Sequence, residues 1–278
     1  MRLVIISGRS GSGKSIALHA LEDLGYYCID NLPLDLLTQI KPDYQNIAIS
    51  IDARNLKNTL SDLDKILKTL QEKYEYEIVY FDTDDTTLLK RFNATRRKHP
   101  LTDENTSLKE ALEYEKQLLK PLLNYADLHV DTTHTNIRQL FDIIQQRLSY
   151  KENHLSILFQ SFGYKHGVPQ DADFIFDARC LPNPYWHKTI WNKTGLDKEI
   201  IDYLEGFEQV QEMYDDIKQF IEKWLPAYHS ENRRYLTISI GCTGGRHRSV
   251  YLAQKLGVHF EKTENHVVIR HRDLVDVL

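Results

Sequence analysis

An α/β fold in two domains is what this sequence predicts, a parallel sheet domain followed by a second α/β domain, and three features argue for it. Short apolar, β-branched runs alternate with helical repeats of apolar residues through the first half. Twice, a strand-like run leads directly into a glycine-rich turn that opens a helix. Between those passages Ser149 to Asn153 is a polar break, so 1–150 and 151–278 read as separate domains.

The elements follow in order. Leu3 to Ile6 is a buried first strand, and after the turn a helix runs to about Leu24 with Ala17, Leu18 and Leu21 on one face. Tyr26–Ile29, Ile47–Ile51, Ile78–Phe81 and Leu128–Val130 read as four more strands. Leu60, Leu63, Ile66, Leu67 and Leu70 keep the helical period, as do Leu108, Leu112, Leu118, Leu119 and Leu122. The latter repeat starts at Ser107-x-x-Glu110, a capping-box pattern. Ile137, Leu140, Phe141, Ile144 and Leu148 close the first half as a helix. In the second half Leu155–Phe159, Phe174–Phe176 and Tyr235–Ile240 are strands, and Lys198–Leu204, Phe207–Trp224 and a stretch ending near Leu256 are helices. Leu181 to Thr194 is a long loop of Pro, Asn and aromatic residues.

The net charge of −5 argues against a globally basic nucleic-acid binder. No apolar run reaches a membrane-spanning length, which argues against a membrane partner, and the chain enters its first strand too early to leave room for a signal peptide. Cys28, Cys180 and Cys242 form neither a disulfide framework nor a metal-ligand spacing. These features predict a cytoplasmic protein with reduced thiols.

Gly8-Arg9-Ser10-Gly11-Ser12-Gly13-Lys14-Ser15 fits G-x-x-x-x-G-K-[ST] at every fixed position, after a strand and before a helix. Glycines let backbone N–H groups wrap a phosphate, and the helix N-terminus adds partial positive charge. Lys14 can neutralise the β- and γ-phosphates, while the Ser15 hydroxyl can ligate Mg²⁺. Asp52 and Asp82 each end an apolar strand where a second carboxylate near Mg²⁺ is expected; Asp30 ends a shorter one. Either can equally be a turn or cap residue. Arg91, Arg96 and Arg97 read as one helical segment ending at His99-Pro100, either lid arginines for a transferring phosphate or a solvated basic face.

The second glycine turn, Gly241-Cys242-Thr243-Gly244-Gly245-Arg246-His247-Arg248-Ser249, has the logic of an anion nest. His247 and Arg248 can add charge-assisted contacts. Cys242 and Arg248 also share the Cys-x-x-x-x-x-Arg spacing of thiol-dependent phosphatases. Asp177, Arg179 and His166 lie where they can converge on the turn, and Asn232 and Arg233 lead into the preceding strand. Basic residues outnumber acids from His229 to Arg272, which marks either a polyanion surface or a solvated face.

With both turns in view, the sequence resembles the RapZ/YvcJ family of bacterial nucleotide-binding proteins. The resemblance rests on Ser7–Ser15, Asp30-Asn31-Leu32-Pro33, Ile51–Asn55, Thr95–Pro100, Ser161–Gly167, Leu181–Pro184, Thr194–Asp197 and Gly241–Ser249, and it runs through almost the whole chain. It implies a P-loop kinase-like first domain with ATPase and GTPase activity, with ATP at Gly8, Arg9, Ser10, Gly11, Ser12, Gly13, Lys14 and Ser15. Lys14 and Asp52 would serve catalysis and Ser15 would hold Mg²⁺. It assigns GTP to Asp52, Ala53, Arg54 and Asn55. A phosphorylated sugar is implied near Asp177, Arg179, Cys242, Thr243, Gly244, Gly245, His247 and Arg248. Some members are RNA-binding adapters that present small RNAs to an RNase, and a homo-oligomeric regulator is expected. This chain departs from those members in ending Asp273-Leu274-Val275-Asp276-Val277-Leu278 rather than in a basic tail, and in carrying Tyr185 where they have a histidine. A small-molecule kinase and a Cys242 phosphatase are the alternative readings.

Overall fold

A computed structural model describes residues 2–40, 44–55, 63–148, 155–187, 189–231 and 233–274. Leu60, the proposed linker at 149–153, Asn232 and the last four residues lie outside them. The chain divides into two compact units, Met1–Lys151 and Glu152–Leu278.

The first unit has β1 (Arg2–Gly8), α1 (Lys14–Asp23), β2 (Tyr27–Ile29), β3 (Asn46–Ser50), α2 (Leu63–Lys73), β4 (Glu75–Asp82), α3 (Asp85–Thr95), α4 (Leu108–Asn124), β5 (Leu128–Asp131) and α5 (Ile137–Leu148). All strand pairs are parallel, in the order β2-β3-β1-β4-β5. Leu3 and Ile5 of β1 point to a core shared with Ile66, Leu67 and Leu70 of α2 and Leu119 and Leu122 of α4. Val4 and Ile6, alternating onto the other face, are equally buried there, and α1 covers β1 and β3 and packs against α5. Burial on both faces explains why these strands read as continuous apolar runs. Ser107 and Glu110 form the expected capping box of α4.

One expectation fails here. Helix α3 stops at Thr95, because Arg96 takes a left-handed conformation (φ 52°), so Arg96 and Arg97 leave the helix that carries Arg91.

The second unit has β6 (Ser156–Gly163), β7 (Phe174–Asp177), α6 (Lys198–Glu205), α7 (Glu208–Ser230), β8 (Tyr235–Cys242), α8 (Arg248–Phe260) and β9 (His266–His271), with a parallel sheet ordered β7-β8-β6-β9. Its core joins Ile157 and Phe159 of β6, Ile238 and Ile240 of β8, and Leu252, Leu256 and Phe260 of α8. Strand β9 was not foreseen: three apolar residues between histidines and an arginine make a weak signal, and every residue of this edge strand is only half-buried.

In both sheets the chain reverses its direction of travel beside a central strand. After β1 it visits β2 and β3 and then crosses to β4; after β6 it visits β7 and β8 and then crosses to β9. Crevices at such strand carboxyl ends are where open α/β sheets bind ligands. The two glycine turns, after β1 and after β8, occupy those places.

Candidate functional site

The first turn is held against β4. A Cβ on Gly8 would lie 2.0 Å from the Phe81 carbonyl oxygen, and Gly8 has φ 133°, so only glycine fits. Arg9 N–H donates to that same oxygen (3.1 Å). The Arg9 side chain turns inward, donating to the carbonyls of Thr83 (3.1 Å) and Leu112 (3.4 Å) and pairing with Asp85 (2.6 Å). Arg9, expected among the ATP contacts, thus anchors the turn from behind through its side chain.

The Lys14 ammonium donates to the carbonyls of Gly8 (2.7 Å) and Arg9 (3.0 Å) across the mouth of the turn. Burial lowers its pKa, against the opposing pull of Glu115, Asp52 and Asp30. Around it is a cavity of about 660 Å³, lined by Ser10 to Ile16 and by Asp30, Asp52, Arg54, Arg91, Arg97 and Lys98. Ser15 and both carboxylates of Asp30 and Asp52 line this cavity, the hard oxygen set that Mg²⁺ takes.

Asp52 and its neighbours form a short 3₁₀ turn. The Asp52 carboxylate accepts from Arg54 N–H (2.8 Å) and Arg54 Nε (2.8 Å). Asn55 Nδ2 donates to Asn31 Oδ1 (2.9 Å) and the Leu32 carbonyl (3.1 Å), Ala53 is buried, and only the Arg54 guanidinium is half-exposed to the cavity. Asp82, the other carboxylate expected near the metal, is not part of the cavity wall. It accepts from Thr83 N–H (2.7 Å) and lies 3.9 Å from Arg9, and burial raises its pKa.

Arg91, read as either a lid arginine or part of a solvated basic face, supports the turn: it donates to the Gly11 carbonyl (3.0 Å), Thr132 Oγ1 (3.1 Å) and the Thr132 carbonyl (2.7 Å). Thr132 Oγ1 in turn donates to the Ser12 carbonyl (2.8 Å). Glu115 was missed by sequence reasoning. It sits fully buried on α4, accepting from Ser10 N–H (2.9 and 3.0 Å), Ser10 Oγ (2.6 Å) and His99 Nε2 (3.2 Å). Burial works against this ion, but His99, Lys14 and Ser10 together hold its pKa low. Its signal was present: a glutamate in the apolar stripe between Leu112 and Leu118.

In the second turn, Cys242 ends β8 and Arg248 begins α8. Gly163 of β6 approaches so closely that a Cβ there would lie 2.6 Å from the Gly244 carbonyl carbon. The Cys242 sulfur is buried, 3.1 Å from Ser249 Oγ. Burial alone would raise its pKa, but Ser249 and the amides of Gly245 and Arg246 outweigh it and lower it. Arg248 is buried as well, donating to the carbonyls of Arg179 (2.9 Å) and Leu181 (3.0 Å) and to Thr243 Oγ1 (3.4 Å). His247 Nε2 meets the Trp191 carbonyl (3.1 Å), and burial lowers its pKa. The side chains of Cys242, His247 and Arg248, expected to face an anion, are therefore built into the turn and the loop that wraps it. Open to solvent are Thr243, Arg246, Lys165 beside Gly244, and Arg179, which forks onto Asp177 (2.6 and 2.9 Å) and stacks 3.9 Å above the Tyr164 ring.

Of the basic residues between His229 and Arg272, Arg248 and Arg272 are buried, whereas Arg233, Arg246 and Lys262 are exposed. Arg233 is held by the Tyr235 carbonyl and Asp173, Arg246 by the Lys193 and Asn192 carbonyls, Arg248 as above, and Arg272 by the Gly167 carbonyl (2.8 Å) and Asp273 (3.1 Å). Among the described residues no helix is long and apolar enough to cross a membrane, and no group of three His, Cys, Asp or Glu is placed to hold a metal.

Comparison with known proteins matches residues 1–152 to the RapZ-like N-terminal domain and residues 155–275 to the RapZ C-terminal domain. A protein of Hahella chejuensis named nucleotide-binding protein is 52% identical over 99% of each chain. A protein of Stutzerimonas stutzeri, named for its place in a ptsN-ptsO intergenic region, is 49% identical over 99% of this chain and 100% of its own. Among solved structures, shikimate kinase from Acinetobacter baumannii covers 52% of this chain and 90% of its own at 18% identity, with a TM-score of 0.38.

Proposed function

Because the chain belongs to the RapZ family, we propose that it is a nucleotide-binding regulator whose first unit takes ATP or GTP with Mg²⁺ at Gly8–Ser15 and hydrolyses it slowly. The observation that carries this is the cavity around Lys14, where a glycine-rich backbone turn, a half-buried ammonium and the Ser15 hydroxyl meet. Three turn amides are already engaged inside the protein, those of Arg9, Ser10 and Ser12. Gly11, Gly13, Lys14 and Ser15 are then the amides for the phosphates. Bound Mg²⁺ would supply charge neutralisation on the phosphate oxygens, held by Ser15 with Asp52 or Asp30. Lys14 would leave the Gly8 and Arg9 carbonyls for the phosphates, and Arg91 would keep the turn in shape through Gly11 and Thr132. For a guanine-nucleotide contact at Asp52–Asn55, Asp52 and Arg54 both line the cavity, and the Arg54 guanidinium is the more exposed of the two. Equilibrium binding of ATP and GTP to the whole protein, with and without Mg²⁺, tests the reading; saturable Mg²⁺-dependent binding is expected, and none would remove it.

The second unit, on this reading, senses a phosphorylated sugar, with the amides after Cys242 and the exposed Arg179 and Lys165 as its anion contacts. The buried Arg248 organises that site by tying Thr243 to the loop after β7. An RNA-adapter role would have to use other surface than Arg248 and Arg272, whose buried guanidiniums serve the fold; Arg233, Arg246 and Lys262 are exposed.

A second reading, a small-molecule kinase, is favoured by one observation: Arg97 and Lys98 line the same cavity as the P-loop. A phosphorylated product from a screened metabolite pool would identify it.

A further inference from the structure

Beneath the P-loop lies a buried polar group that the nucleotide reading does not use. Glu115 holds Ser10 through both its N–H and its hydroxyl, and on its other side receives His99 Nε2. His99 Nδ1 accepts from Leu101 N–H (3.2 Å), so the ring carries its proton on Nε2 and donates it to Glu115. The ring is buried against Phe92, 5.2 Å between centroids, and Phe92 also lies under Gly11. His99 directly follows Arg97 and Lys98, two exposed cations in the cavity wall, and these stand just after the left-handed turn at Arg96 that ends α3. The segment from Arg96 to His99 has no regular secondary structure of its own. The His99–Glu115 bond therefore fastens it to the phosphate turn.

We propose that His99 and Glu115 are positioning residues for the nucleotide site: by fastening the Arg97–Lys98 segment to Ser10 of the P-loop, they place two cations where the terminal phosphate of a nucleoside triphosphate binds. Neither side chain touches the nucleotide. Arg97 and Lys98 act on the last phosphate, so the device favours triphosphate over diphosphate. Breaking it leaves the turn, Lys14 and Ser15 to hold the shared phosphates. This inference rests on the nucleotide reading above.

The test is the ratio of dissociation constants for a nucleoside diphosphate and a non-hydrolysable triphosphate, measured with Mg²⁺ on the full chain. His99→Leu keeps the volume but removes the donor, and Glu115→Gln turns a donor toward a donor. Each is expected to lower the triphosphate preference about tenfold, the effect of one buried charge-assisted hydrogen bond. His99→Gln, whose amide can still donate to Glu115, restores it. Adding Arg97→Ala and Lys98→Ala to His99→Leu lowers it no further. Either folded variant suffices if the other does not fold. If both nucleotides weaken equally, or the preference survives His99→Leu or Glu115→Gln, the bond is merely structural and the inference is overturned. If the unaltered protein binds neither nucleotide, the nucleotide reading falls first and the inference falls with it.

Discussion

Arg272 separates two physical accounts of the second unit. As a surface cation it would belong to a polyanion patch; in the structure it is a brace. Its guanidinium donates to the carbonyls of Gly163 (3.3 Å) and Gly167 (2.8 Å) and pairs with Asp273 at 3.1 Å, with both side chains less than a tenth exposed. Asp273 in turn accepts from Gly163 N–H (2.6 Å), the residue packed against Gly244 and Gly245. Arg272→Ala therefore strips a buried carboxylate of its partner and loosens the floor of the second turn. The loss should be about 3 kcal/mol, as for a broken buried pair rather than an exposed one. For a unit of this size that is roughly 10 °C in Tm. All three tryptophans, Trp186, Trp191 and Trp224, lie in the second unit, so tryptophan fluorescence follows its melting within the full chain. An unchanged melting midpoint together with a several-fold loss of heparin affinity would refute the brace and reinstate the patch.

Further outcomes follow from the same geometry. Gly8→Ala should destabilise the first unit by about 2 kcal/mol or more, since φ 133° and the contact with Phe81 both oppose a side chain; circular-dichroism melting checks it. Arg248→Ala should abolish sugar-phosphate binding while leaving nucleotide binding intact, read by calorimetry with phosphorylated hexoses. The thiol of Cys242 is sealed from solvent, so the protein should not cleave an aryl phosphate, and Cys242→Ser should leave hydrolysis at background. Burial holds His271 near a pKa of about 4, against an ordinary 6.5, so the folded form stays neutral where the unfolded chain binds a proton. Stability should therefore fall as pH drops from 6.5 to 4, by about 3 kcal/mol at most, and His271→Gln should flatten that slope in urea titrations.

Much of this was legible in the sequence because the signals were local. A strand buried on both faces shows as an unbroken apolar run, and the capping box at Ser107 shows as two residues three apart. Both glycine turns could be placed because glycines between an apolar strand and a helix mark a tight turn, and the first also fits G-x-x-x-x-G-K-[ST] at every fixed position. What the sequence could not show was direction. As letters, Arg9, Arg91, Arg248 and Arg272 look no different from the exposed Arg246, yet each turns inward to carbonyls that other segments bring to it. The same limit hid β9, whose three apolar residues become a strand only because β6 offers an edge. Glu115 was readable only as an oddity in an apolar stripe, since its partners Ser10 and His99 are far away in sequence.

The central claim is that Lys14 and its turn hold the phosphates of a nucleotide that the protein turns over. Steady-state release of phosphate from ATP and GTP with Mg²⁺, for the unaltered protein and for a folded Lys14→Ala variant, tests it most directly. The account predicts slow turnover that falls at least ~100-fold in the variant, as for loss of one transition-state donor. Equal turnover in both proteins would contradict it.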